Sequence, residues 1–184
     1  MHRFTLAILV LSLSVFMFSC RKGVETARYP LTEEQLNFIP YQQGQSVNFI
    51  HSGGHTFDFE VISLERFWLK TETEHPGENY ASYETLEVKL ESTEPDLQCK
   101  LTINPYPFYS GFTCEINYFH FIMGSLTEPI YDSLQMQGKI FKNVFVMADT
   151  NPTTNIEIDS VYYTISEGII KIGMTNDEAY YIHN

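Results

Sequence analysis

Three cysteines, Cys20, Cys99 and Cys114, are the first residues in this chain that could do chemistry. Cys20 closes a leader. His2 and Arg3 stand near the start, residues 4–18 run almost without polar interruption, and Ser19 places a small side chain before the cysteine. Basic, then apolar, then small is the layout of an export signal. The apolar run, about 15 residues, is shorter than the roughly 20 that a membrane-crossing helix needs. It is also apolar all round, unlike a helix buried in a domain. An ordinary signal site wants small residues at two positions before the cut, whereas Met17 and Phe18 flank Ser19 here. The cysteine makes the leader a lipoprotein signal: residues 1–19 are removed, and Cys20 becomes the lipidated first residue. Met17-Phe18-Ser19-Cys20 departs from the commonest box, Leu-Ala-Gly-Cys, chiefly at Phe18. Three acyl chains, at about 0.8 kcal/mol per buried CH₂, make such an anchor effectively permanent.

With Cys20 given to lipid, Cys99 and Cys114 are left to each other. The envelope is oxidising, which favours a bridge. If the loop 104–111 closes a hairpin with 103 opposite 110, then 101 faces 112 and 99 faces 114 on one face. A disulfide closing about 15 residues is worth roughly 3 kcal/mol in the chain-entropy model. The alternative is two small buried apolar side chains that happen to pair. A redox or metal role lacks the C-x-x-C spacing that would support it.

Two other groups of residues could bind. His51 and His55 face each other across a hairpin tip, with Asp58 near in sequence, so two imidazoles could hold part of a metal site. No third ligand is identifiable, and the alternative is a solvated tip. The loop from Pro105 carries Tyr106, Phe108, Tyr109 and Phe112. Broken by Pro and Gly, it could offer a ligand-contact surface for apolar groups or sugar rings. The alternative is a loop folded back over the end of the domain. Enzyme signatures fail: H-E-x-x-H, G-x-S-x-G, the P-loop and G-x-G-x-x-G are all missing from the sequence. No carboxylate pair is placed by the sequence, so general acid–base catalysis has no support. The reading is of a non-enzymatic protein with no cofactor and no metal.

These residues need elements to position them. The segment 20–30 reads as a lipidated tether without apolar period, and residues 31–184 as one β-domain. Leu31-Thr32-Glu33-Glu34-Gln35-Leu36 is the one good helix start, with Thr32 and Gln35 as a capping box and Leu31 and Leu36 as a hydrophobic staple. Pro40 stops it. From Gln45 the pattern has period two. Val47 and Phe49 lead to Ser52-Gly53-Gly54, and Phe57, Phe59 and Val61 follow. A two-residue Gly-Gly loop would pair Phe57 with Ile50 and mix the faces. A three-residue loop pairs Phe57 with Phe49 and Phe59 with Val47, so the sequence predicts the three-residue hairpin. Further strands are expected at 65–71, 86–91, 97–103, 112–118, 139–147, 156–166, 169–174 and 179–183, with a short helix around Ile130 to Gln135. Roughly nine or ten strands without βαβ alternation predict an all-β, antiparallel, meander-rich domain closing as a sandwich, barrel or half-barrel.

Charge narrows the partners. Removing residues 1–19 leaves 10 Lys and Arg against 23 Asp and Glu, a formal −13. Nucleic acid is excluded, because its binding depends on clustered basic side chains. Such acidity reads as a solvated, repulsive surface, with an acidic binding face as the alternative. The partner that the sequence does supply is the membrane, through the lipid anchor.

Two stretches look familiar. Pro40-Tyr41-Gln42-Gln43-Gly44-Gln45-Ser46-Val47-Asn48-Phe49 and Val161-Tyr162-Tyr163-Thr164-Ile165-Ser166-Glu167-Gly168-Ile169-Ile170-Lys171-Ile172 bracket nearly the whole mature chain. They resemble the opening and ending of the small β-rich envelope lipoproteins of the Bacteroidetes, whose lipoboxes are looser. The motifs are structural, so the resemblance implies an envelope lipoprotein and carries no catalytic residue over. Surface-displayed members often have an acidic stretch after the cysteine, and here Arg21-Lys22-Gly23 follows. The implied place is the periplasmic side of the outer membrane. The favoured function is a binding or scaffolding domain; the alternatives are a carrier holding a lipid or other apolar ligand inside a lipocalin-like or half-barrel interior, and an enzyme with dispersed catalytic residues.

Overall fold

The structure is a computed structural model, and it describes residues 23–71, 78–105, 111–123, 126–148 and 158–183. Twelve strands and one short helix follow in the order β1 (Glu25–Tyr29), α1 (Glu33–Asn37), β2 (Ser46–His51), β3 (Thr56–Lys70), β4 (Tyr80–Thr93), β5 (Asp96–Ile103), β6 (Phe112–Ile116), β7 (Phe119–Met123), β8 (Tyr131–Met136), β9 (Lys139–Ala148), β10 (Ile158–Thr164), β11 (Gly168–Met174) and β12 (Ala179–Ile182). The class is all-β, as the alternating sequence requires. The strands form one sheet in the order β7-β6-β5-β4-β3-β2-β12-β11-β10-β9-β8. Every pairing along that path is antiparallel. β7 and β8 are its two edges, so it is not closed into a barrel. The sheet curls enough to bring β7 near β9 and β10. Neighbours along that path are consecutive in the chain except where β12 returns to β2 and joins the two ends of the domain; β7 and β8, consecutive in the chain, do not pair, and β1 pairs with β4 off the path.

The β2–β3 hairpin has the predicted register: Val47 pairs with Phe59 and Phe49 with Phe57. All four are buried on one face. A slip of one residue would have turned those side chains to water, and that penalty makes the register readable. α1 also forms as expected. The Thr32 hydroxyl accepts from the Gln35 amide at 3.2 Å, and the Gln35 side chain accepts from the Thr32 amide at 2.9 Å. Leu31 is buried, and Leu36 packs against the core. Gln35 also donates to the Asn104 carbonyl at 3.3 Å, which ties the helix to the end of β5.

Four expectations are corrected. The short helix expected around Ile130 to Gln135 is instead the strand β8, Tyr131–Met136. Gln137 and Gly138 both take positive φ, 48° and 79°, and make a two-residue turn that pairs Met136 with Lys139. The strand expected at 65–71 is not separate: residues 65–70 are the far end of the 15-residue β3. A bulge between Val61 and Ser63 breaks the alternation there. The tether is shorter than 20–30, because Glu25–Tyr29 pairs in parallel with β4. β5 covers that edge of β4 only as far as Leu86. Beyond Leu86, β1 takes its place. Finally, the described residues hold twelve strands instead of nine or ten.

The core is aromatic. Phe38 stacks on Tyr163 with ring centroids 5.4 Å apart and meets Phe112 and Phe145 edge-on at 5.2 and 5.4 Å. Such pairs add roughly 0.5–1.5 kcal/mol beyond their burial. Two buried tyrosine hydroxyls find partners. The Tyr163 hydroxyl donates to the Phe38 carbonyl at 2.6 Å, and the Tyr41 hydroxyl accepts from the Ile169 amide at 2.7 Å. Burial pushes both phenols well above the ordinary tyrosine range.

Candidate functional sites

The thiol pair sits inside this core. Cys99 and Cys114 are buried on adjacent strands, with their sulfurs 3.8 Å apart. The expected direct opposition is corrected. Cys99 faces Ile116, Cys114 faces Leu101, and Phe112 faces Ile103, so the hairpin is shifted by two residues. A shift of two keeps every side chain on its face, which is why alternation could not detect it. It leaves the cysteines diagonal. Diagonal Cα atoms on paired strands lie about 7–8 Å apart, beyond the usual disulfide span. Both cysteines are unbridged, with one thiol hydrogen-bonded to the other. Burial, then the hydrogen bond to Cys99, raises the Cys114 thiol well above its usual range. A buried, protonated thiol is an inert one.

His51 and His55 meet as the three-residue loop requires. Their rings stack with centroids 4.5 Å apart, and Tyr180 of β12 tilts against His51 at 5.0 Å. The Gly53 amide donates to His51 Nδ1 at 3.0 Å, so that nitrogen is already used. His51 Nε2 lies 3.9 Å from Glu178, whose carboxylate also accepts from Asn176 at 2.7 Å. Asp58 does not join them. It lies on the outward face of β3, accepting from Asn48 at 3.0 Å. Among the described residues no three His, Cys, Asp or Glu side chains gather as a metal site.

The aromatic loop is divided. Tyr106, Phe108 and Tyr109 lie outside the described residues, as does Cys20. Phe112 is described and is corrected as a ligand contact. It is fully buried, packed on Phe38 and Tyr163.

Two clefts were not foreseen. One, about 310 Å³, opens beside α1 between Pro30, Gln35, Phe38, Pro105, Leu126 and Ile165. Its signal in the sequence was the staple, because a helix laid over a curled sheet leaves a seam along its flank. The other, about 700 Å³, runs along the outward face where β3, β4 and β5 meet. Asp58, Glu60, Glu91, Glu94 and Asp96 line it, and no lining residue is basic. Glu60 is directly opposite Glu91, a like-charge pair that costs the sheet stability. The long β3–β4 pairing creates this neighbourhood, which spacing along either strand alone does not reveal.

No protein-family model, curated protein or solved structure matches the chain.

Proposed function

We propose that the protein is a lipid-anchored component of the cell envelope, held to the outer membrane on its periplasmic side through Cys20. Its β-domain binds or scaffolds a partner and performs no chemistry of its own. The layout of residues 1–20 carries this reading: basic, apolar, small, cysteine. The likeness of residues 40–49 and 161–172 to small envelope lipoproteins supports it, as does the acidic mature chain, which disfavours nucleic acid. The experiment is Cys20→Ser in the full-length precursor. The variant should leave the membrane fraction for the soluble one. If it stays membrane-bound after a high-salt wash, the anchor is not at Cys20.

The carrier reading takes a narrower form. The space under the sheet is filled by Phe38, Phe49, Phe59, Phe112 and Tyr163, all less than 2% exposed. An apolar ligand therefore has the cleft beside α1, near the small end of ligand-pocket volumes of about 300–1,000 Å³. A fluorescent fatty acid that binds wild type and is rejected by Leu126→Arg would support this form. Equal binding by both would remove it.

A further inference from the structure

Beyond Leu86 the sheet continues as a three-stranded ribbon made of β1, the first half of β4 and the last third of β3. One face of this ribbon carries Arg28, Trp68, Lys70 and Tyr80. The pairings Arg28–Ser82, Lys70–Ser82 and Trp68–Glu84 place them together. Each cation lies over a ring: the Arg28 guanidinium is 3.9 Å from the Trp68 ring centroid, and Lys70 Nζ is 4.4 Å from that of Tyr80. Trp68 keeps 38% of its surface exposed although it is the sole tryptophan and one of the largest apolar groups in the chain. Acidic charge on this face is answered locally, since Glu84 pairs with Arg66 at 2.6 Å and Glu25 approaches Arg28 at 4.0 Å. Against a mature chain of −13, the face is a local exception.

The ribbon also stands where the chain enters the domain. The Tyr80 amide donates to the Val24 carbonyl at 3.1 Å, and the Val24 amide donates to the Asn79 side chain at 3.2 Å. Only Arg21 and Lys22 separate Cys20 from Gly23. Three extended residues span at most about 10 Å. An anchored Cys20 thus keeps Gly23 within that distance of the lipid, and Glu25, where β1 starts, within about 18 Å.

We infer that the Arg28–Trp68–Lys70–Tyr80 face of the ribbon lies against the lipid headgroups and fixes the orientation of the domain on the bilayer. This rests on the lipid anchor proposed above. Tryptophan and tyrosine prefer the headgroup level, where an apolar ring and a polar edge are both satisfied. The arginine and lysine hold their charges over these rings, at the level where they can also meet phosphate. The short tether supplies the high local concentration that lets so small a surface dock.

Because Trp68 is the sole tryptophan, the protein reports on its own docking. Lipidated protein is reconstituted into phosphatidylethanolamine–phosphatidylglycerol vesicles and compared with soluble Cys20→Ser protein. Docking shifts Trp68 emission to shorter wavelength, removes quenching by iodide and adds quenching by brominated lipid. The pair Arg28→Glu with Lys70→Glu should still float with the vesicles yet return the emission to that of the soluble form. Lipidated wild type that floats with unchanged emission and iodide quenching overturns the docking face and leaves the anchor standing. Lipidated wild type that does not float overturns the anchor and this face with it.

Discussion

The Tyr41 hydroxyl accepts the Ile169 amide hydrogen at 2.7 Å, across 128 residues of chain and out of reach of water. It joins the segment after α1 to the start of β11, beside the irregularity where Ile169 stands opposite Tyr163 of β10. Tyr41→Phe should strand a buried N–H at a cost of about 1–3 kcal/mol, more than the net worth of a typical hydrogen bond. Denaturant unfolding measures it. A midpoint equal to wild type would show that the amide finds another acceptor.

The same tyrosine makes two glycines unequal. Gly138 and Gly168 both have φ of +79°. A Cβ at Gly138 would meet nothing within 4 Å, whereas one at Gly168 would overlap the Tyr41 hydroxyl and ring. Gly138→Ala should therefore cost only the backbone term, about 1–2 kcal/mol. Gly168→Ala should exceed it by at least about 1 kcal/mol, the scale of overpacking a close-packed core. Thermal unfolding of the pair tests this, and equal losses would contradict the overlap.

Alkali should unfold the domain through its core. Burial raises Tyr41 and Tyr163 above their ordinary 10.0 and Cys114 above 9.0. The fold holds all three neutral, while the unfolded chain ionises them at ordinary values. Their contribution is present in full below about pH 9 and is lost as pH rises, because the unfolded state then binds fewer protons than the native one. Stability should fall above about pH 9 and more steeply above about pH 10. Tyr163→Phe should lower stability at neutral pH yet flatten the fall. A Tyr163→Phe slope identical to wild type above about pH 10 would remove that residue from the account.

The two hairpins show what alternation can reveal. At β2–β3 the competing registers differed by one residue, and only one put Phe49, Phe57 and Phe59 on a common face. At β5–β6 they differed by two, and both buried Cys99, Cys114 and Phe112. The first choice was therefore legible, and the second was not, because hydrophobicity does not separate registers that differ by two. β1 escaped notice for another reason. Val24-Glu25-Thr26-Ala27-Arg28 has no apolar period because it is held by backbone bonds to an exposed ribbon edge. The acidic groove and the cleft beside α1 arise only when distant strands assemble.

The thiols should behave as core side chains. Cys99 and Cys114 should resist alkylation in the native protein and react at once in denaturant, since access requires opening the sheet. Intact mass without reductant should correspond to two free thiols. A mass lower by two hydrogens would show that the diagonal pair closes after all, with local movement of β5 or β6.

Glu84 ties the ribbon to α1. One carboxylate oxygen accepts from Arg66 Nε at 3.1 Å and Nη2 at 2.6 Å, while the other accepts from the Leu31 amide at 3.0 Å. The carboxylate is 9% exposed and the Arg66 side chain 49%, so the two partners differ in what they lose. Arg66→Ala removes a half-solvated charge and should cost about 1 kcal/mol. Glu84→Ala strands the buried Leu31 amide next to the helix cap and should cost about 2–3 kcal/mol. Hydrogen exchange separates them further. Leu31 should lose protection in Glu84→Ala and keep it in Arg66→Ala. Protection that survives in Glu84→Ala would mean that the capping box alone holds the start of α1, and that Glu84 serves only the ribbon.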